Sequence, residues 1–250
     1  MKHTEALLKA EKFQQKMEKI AQNDYWRPQY HIAAPANWIN DPNGFCFYKG
    51  EYHLFYQYHP YSSQWGPMHW GHVASKDLAD WEHRPIALAP TDEYDKDGCF
   101  SGSAIENDGK LYLLYTGHVD LDNSNGGNDR IETQCLAVSD DGKHFEKVEN
   151  NPVIKALPEN LNIRTEHFRD PKVWKHGDWY YTVVGVQTKE ESGQVVVYKS
   201  QDLINWEFLN IMATSSVKEN LGFMWECPNF AEVNGHEALI LSPQGVKSEG

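Results

Sequence analysis

Four times along the chain a turn glycine opens a short strand of alternating character. These glycines are Gly50, Gly109, Gly177 and Gly235, spaced 59, 68 and 58 residues apart. Two, four and six residues beyond the first three stand Tyr52, Leu54 and Tyr56, then Leu111, Leu113 and Tyr115, then Trp179, Tyr181 and Val183. The fourth copy, Glu237, Leu239 and Leu241, matches more weakly. Alternation with period two means that one face of each strand is buried. A second signature follows the first three: Ser75, Asp77, Trp81 and Glu82 align with Ser139, Asp141, Phe145 and Glu146, and with Ser200, Asp202, Trp206 and Glu207. Its Ser and Asp suit a turn and its ring suits the start of the next strand, so it reads as a hairpin corner. Copies of roughly 60 residues with about four strands each predict an all-β chain of β-propeller type. A sandwich or jelly roll lacks such regular copies and ranks below.

Ahead of the repeats, residues 4 to 22 read as an amphipathic helix, with Leu7, Ala10, Phe13, Met17 and Ile20 at three- and four-residue steps. Its mixed charges favour packing on the main body over membrane contact. The fourth repeat reaches only about two strands before Gly250 and lacks the Ser-x-Asp corner. The expectation is an interrupted ring of about three and a half blades, with open strand edges that need a longer parent chain or a complementing piece.

In a propeller the first strand of each blade lines the central channel. Asp41 stands nine residues before Gly50, Asp170 seven before Gly177 and Glu226 nine before Gly235, while Ser101 stands eight before Gly109. Three repeats therefore put a carboxylate near one height, at the start of the innermost strand, and ring closure brings them together. Each lies next to a proline or one residue from it, in Asn40-Asp41-Pro42-Asn43-Gly44, Phe168-Arg169-Asp170-Pro171 and Trp225-Glu226-Cys227-Pro228. Proline is expected to fix the chain where the strand begins. Taken singly, Asp41 and Asp170 also make good turn residues; the alignment of all three argues for a site.

Paired carboxylates facing one channel suit glycoside hydrolysis, with one as nucleophile and the other as proton donor. Like charges held close keep a proton on the pair and raise the acid's pKa. No nucleophile elbow, phosphate loop or dinucleotide fingerprint competes. His69 and His72 have no matched carboxylate and are expected to make hydrogen bonds near the channel rather than bind metal. The Asp120–Asp129 segment has Asn125 where a calcium loop needs Gly, and reads as an ordinary loop. No cofactor or metal is expected.

A formal net charge of −13 opposes a nucleic-acid partner. No apolar run is long enough to span a membrane. The first 24 residues carry charges throughout, unlike a secretory signal. Cys46, Cys99, Cys135 and Cys227 are widely separated and read as reduced thiols, which places the chain in the cytoplasm. Nothing in the sequence sets an oligomeric state.

The segments around the three carboxylates resemble glycoside hydrolase family 32, the invertase and β-fructofuranosidase family. Phe55-Tyr56-Gln57-Tyr58-His59-Pro60, Trp65-Gly66 with Trp70-Gly71-His72, and Phe100-Ser101-Gly102-Ser103 extend the likeness, which runs from about residue 28 to the end. The resemblance implies a five-bladed propeller followed by a β-sandwich, and a retaining mechanism on a small fructoside. Residues 1–27 would then be a helical extension, and residues 28–250 an incomplete catalytic propeller. Asp41 would be the nucleophile, Glu226 the acid and then base, and Asp170 the transition-state stabiliser beside Arg169. Asn40, Gln57 and Ser101 would hydrogen-bond the fructosyl unit. Trp38, Ile39, Trp65 and Phe100 would line the pocket, and Cys227 would either tune the acid or fill space. Within the family the bacterial sucrose-6-phosphate hydrolases look closest. A levan or inulin hydrolase and a fructosyltransferase are alternatives, and a non-catalytic sugar-binding propeller is the alternative class.

Overall fold

The computed structural model describes residues 2–28, 30–121, 129–158, 161–215 and 221–247. Among these residues, helix α1 (His3–Ala21) is followed by fourteen strands. Strands β1 (Trp38–Tyr48), β2 (Glu51–His59), β3 (His69–Ser75) and β4 (Trp81–His83) form the first antiparallel sheet, in sequence order. The second holds β5 (Gly98–Asn107), β6 (Lys110–Asp120), β7 (Arg130–Ser139) and β8 (Glu146–Lys147). The third holds β9 (Ile163–His176), β10 (Trp179–Thr188), β11 (Gly193–Ser200) and β12 (Trp206–Thr214). Strands β13 (Met224–Val233) and β14 (His236–Gln244) make a two-stranded fourth sheet. Three blades and the first half of a fourth are what the repeats predict.

The turn glycines close the first hairpin of each blade. Lys49-Gly50, Asp108-Gly109 and Asn234-Gly235 take positive φ at both loop positions, as a tight two-residue hairpin requires. In the third blade Gly177 occupies the first loop position instead, with φ 60°. That one-place shift helps explain why Asp170 lies seven residues before its glycine while Asp41 and Glu226 lie nine before theirs.

The Ser-x-Asp corners sit between the third and fourth strands. Ser75, Ser139 and Ser200 donate to Asp77, Asp141 and Asp202 at 3.0, 2.9 and 3.1 Å. Each aspartate Oδ1 in turn accepts two backbone N–H groups, which fixes the corner before the ring that follows.

Blades pack face to face through their alternating apolar residues. Phe55 and Trp70 of the first meet Leu111, Leu113, Tyr115 and Phe145 of the second. Leu114 and Leu136 meet Val173, Tyr180 and Leu203 of the third. Val183 and Val195 meet Trp225, with Phe230 and Leu239 beside them. Full burial of one such side chain contributes about 1.5–3 kcal/mol. Helix α1 lays Ala10 and Leu7 on Tyr56, Tyr58 and Ile86 of the first blade, as its apolar stripe predicts.

Two expectations about the inner strands need correction. The prolines do not mark strand starts: Pro42, Pro171 and Pro228 lie inside β1, β9 and β13. They are tolerated because these strands are the inner edges of their sheets and carry bulges there. Nor is Asp170 at a strand start, since β9 begins at Ile163. His72 also lies elsewhere than expected. It sits in the third strand of its blade, paired with His53 at 3.0 Å and stacked on Phe55 within the core. The Asp120–Asp129 segment falls mostly on residues 122–128, outside the described residues.

A buried ion cluster ties the second blade to the segment entering it. Lys147 of β8 donates to Asp95 at 2.6 Å, Asp92 at 2.9 Å and Thr91 at 3.0 Å. Asp95 is fully buried and also accepts from Tyr115 at 2.8 Å. Lys147→Met should destabilise the fold by about 3–5 kcal/mol, because it strands the Asp95 charge in the core. Urea denaturation measures this. An unchanged midpoint would mean that Tyr115 and the backbone N–H groups of Thr91 and Asp92, which also donate to Asp95, hold it alone.

Candidate active site

Each inner strand is interrupted at the same height. In β1, Asn40 and Asp41 oppose the single residue Gln57, because pairing passes from Ile39–Tyr58 to Pro42–Tyr56. In β9, Asp170 and Pro171 oppose Val184, and in β13, Cys227 and Pro228 oppose Leu241. In β5, Ser101 is unpaired between Phe100–Thr116 and Gly102–Tyr115. A bulge frees residues from the ladder and re-aims their side chains. The backbone is strained at two of these points: Asp170 has φ 65° and Cys227 has φ 48°. Left-handed conformations at non-glycine residues are costly and concentrate where side chains must be aimed.

The aligned carboxylates converge. Asp41 Oδ2 accepts from Ser101 Oγ at 2.7 Å, and Ser101 Oγ accepts from Gln57 Nε2 at 2.7 Å. Cys227 Sγ lies 4.0 Å from Asp41 Oδ2 and 3.7 Å from Asp170 Oδ2. The backbone N–H of Cys227 donates to Asp170 Oδ2 at 2.9 Å. Arg169 Nη2 donates to Glu226 Oε1 at 2.9 Å, and its Nε is 3.9 Å from Asp170. Strands β1, β5, β9 and β13 thus deliver Asp41, Ser101, Asp170 and Glu226 into one cluster. Gly185 allows β13 to approach, since a Cβ there would collide with the carbonyl oxygen of Trp225, beside Glu226.

Burial differs across the trio. Asp170 is 7% exposed, whereas the Glu226 side chain is 33% exposed. Burial raises the Asp170 carboxyl to about 6, against the opposing pull of Arg169 and the Cys227 N–H. Glu132 and Glu226 add to the rise. Desolvation is the cause that outweighs the positive neighbours at Asp170.

The remaining sequence candidates divide. Phe100 stacks on His118 at 4.0 Å, and Trp65 meets Phe100 edge-on at 6.3 Å. Trp38 is half-buried, and Ile39 and Asn40 are exposed on β1 beside Asp41. Sequence reasoning missed several polar groups on the second and third strands of the second blade. Thr116 accepts the Asp170 N–H at 2.9 Å and donates to Gln134 at 2.9 Å, and Gln134 donates to the Phe168 carbonyl at 2.6 Å. Glu132, fully buried in its side chain, accepts the Phe168 N–H at 2.9 Å and lies 3.4 Å from Arg169. The available signal is a run of polar residues, Arg130, Glu132, Thr133 and Gln134, entering a strand that is otherwise apolar.

Among the described residues, no group of His, Cys, Asp and Glu is arranged to hold a metal ion, and no helix is long and apolar enough to cross a membrane. The four cysteines are free.

Comparison with known proteins follows the same residues. The family described as "Glycosyl hydrolases family 32 N-terminal domain" matches residues 31–250. A sucrose-6-phosphate hydrolase of Escherichia coli is 50% identical over 224 residues, covering 89% of this chain and 45% of that protein. A raffinose invertase of Escherichia coli is 44% identical, covering 95% of this chain and 48% of that protein. Among solved structures, the GH32 β-fructofuranosidase of Bombyx mori, an aspartate-to-alanine mutant in complex with sucrose, superposes with a TM-score of 0.87 at 46% identity. It covers 98% of this chain and 50% of that one. A sucrose-6-phosphate hydrolase from Lactobacillus gasseri gives 0.81 at 35% identity, covering 94% and 46%. The chain spans about half the length of the curated relatives it matches. Repeats, convergent carboxylates and these likenesses agree, and the chain belongs to glycosyl hydrolase family 32.

Proposed function

We propose that the protein is a retaining β-fructofuranosidase that releases fructose from sucrose 6-phosphate or sucrose. The observation that carries this reading is the convergence of Asp41, Asp170 and Glu226 from three of the four bulged inner strands. Ser101 holds one Asp41 oxygen, leaving the other to attack the anomeric carbon of the fructosyl unit. As the bond to the leaving oxygen breaks, Glu226 gives that oxygen its proton. Asp170, ionised above about pH 6, balances the positive charge that grows on the ring. Water then attacks the same carbon, Glu226 takes its proton, and the bond to Asp41 breaks.

The relatives' names favour the phosphorylated disaccharide. That substrate is anionic and cannot leave the compartment where it is made, which accords with a cytoplasmic enzyme. Fructose release from sucrose, sucrose 6-phosphate and inulin, measured in parallel, tests the reading. A preference for sucrose 6-phosphate is expected. A preference for inulin would make the protein a fructan hydrolase, and release from none would leave a sugar-binding propeller.

Glu226→Gln separates the proton donor from the other carboxylates. Its loss should be about 100-fold or more for substrates with poor leaving groups and much smaller for activated aryl fructosides, which need little protonation. A uniform loss across leaving groups would remove Glu226 from that role.

A further inference from the structure

The buried charges beneath Arg169 are not used in the reaction as described, yet they are costly. Glu132 lies on β7, two strands out from the channel, and its side chain is 0% exposed. A carboxylate this dry persists only if other groups hold it. Its Oε2 accepts the Phe168 N–H at 2.9 Å and faces Arg169 Nη1 at 3.4 Å. Its Oε1 has no hydrogen-bond partner, and faces Arg130 Nε at 3.5 Å and His118 Nδ1 at 3.6 Å. Burial works against the charge, but His118, Arg169 and Arg130 hold the group below the ordinary carboxylate range.

Arg169 completes the chain. Its side chain is 7% exposed, with Nη1 on Glu132 and on His167 Nδ1 at 2.9 Å, and Nη2 on Glu226 at 2.9 Å. Burial and the two neighbouring guanidinium groups lower His167 to about 4, so at neutral pH it accepts from Arg169 without offering a counter-charge. Glu132 is therefore the buried anion behind Arg169, on the side away from the channel. Without it, Arg169 would face only the reacting carboxylates, Glu226 and Asp170, and would draw on them for its whole charge balance.

We propose that Glu132 is a positioning residue: it anchors the Arg169 guanidinium from behind, so that Arg169 orients Glu226 without stripping it of the proton it must donate. The proposal rests on the fructosidase reading above. It adds to that reading a buried carboxylate that never touches the substrate and governs the proton donor through one intervening side chain.

The test is Glu132→Gln in the full chain. The amide oxygen can still accept the Phe168 N–H, so the change removes charge more than shape. The kcat for poor leaving groups should fall about 10- to 100-fold, as for a misplaced catalytic group, with KM changed less than about threefold. The limb of the pH profile that reports loss of the donor's proton should move to lower pH, because an unbalanced Arg169 favours ionised Glu226. The other titratable and charged groups facing this network are His118 and Asp120 on β6, Arg130 on β7, His167 and Asp170 on β9, and Glu226 on β13, and all remain in the variant. A folded variant with an unmoved limb, or with equal loss for activated and poor leaving groups, overturns the proposal.

A structure of the variant gives a readout independent of turnover. The Arg169 guanidinium should withdraw from position 132 and close further onto Glu226 and Asp170, and an unmoved guanidinium overturns the idea even if the protein proves to have no fructosidase activity. Absence of activity in the wild-type chain would instead count against the proposed function. If Glu132→Gln does not fold, Glu132→Asp keeps the charge and withdraws it by one methylene. It should retain the position of the limb while lowering kcat, and a shifted limb would overturn the proposal.

Discussion

Asp41→Asn is expected to lower fructose release by about 10⁴-fold or more while the chain folds as before. Removing a nucleophile that works as part of a unit has effects of that order. The fold should survive for a local reason. The Asn side-chain oxygen can still accept from Ser101, and Asp41 lies in a bulge where no ladder hydrogen bond depends on it. Thermal unfolding should change by no more than a few degrees. Steady-state kinetics on sucrose and sucrose 6-phosphate, beside a melting curve, make the check. Activity near that of the wild type would remove Asp41 from the nucleophile's place.

Asp170→Asn should separate stability from activity. Raising the carboxyl from its ordinary 3.8 to about 6 corresponds to about 3 kcal/mol of disfavoured charge at neutral pH. The sign follows from proton uptake. Between these two values the folded chain binds more protons at Asp170 than the unfolded chain does. Stability contributed by this site therefore falls as pH rises through that window, and the penalty is complete above about pH 6. A neutral Asn avoids the penalty and can still accept the Cys227 N–H, so the variant should melt several degrees higher at pH 7. Its kcat should fall about 100-fold or more, because the charge that balances the transition state is gone. In the wild-type enzyme the same titration predicts declining kcat as pH drops below about 6. A variant that melts lower, or that keeps its kcat, would contradict this account of Asp170.

Much of this was legible in the sequence because strand alternation and hairpin chemistry are local. Tyr52, Leu54 and Tyr56 announce a half-buried strand without reference to anything distant, and the Ser-x-Asp corners close through contacts two and three residues apart. The channel carboxylates were legible for a different reason: a repeat converts sequence position into position around a ring. Where that conversion stops, so does the reading. Glu132, Thr116 and Gln134 lie on second and third strands, and only side-chain reach brings them toward the site. The pKa of Asp170 depends on how completely neighbouring strands dry it, which spacing does not encode. The positive φ at Asp170 and Cys227 is equally hidden, because neither residue type demands it. Proline misled for a physical reason as well. In a central strand it would break the ladder, but β1, β9 and β13 are inner edges, where bulges accommodate it.

The bulges carry a wider consequence. At one height the ring offers four sockets, one per inner strand, in which side chains are released from the work of holding the sheet together. Two sockets hold an acid, at Asp41 and Asp170; the second holds Ser101, and the fourth holds Cys227 beside Glu226. Exchange at a socket changes what the ring presents to its ligand while leaving the hydrogen-bonded frame in place. A scaffold built this way can acquire, lose or redirect a reaction through single substitutions, without first having to find a new fold.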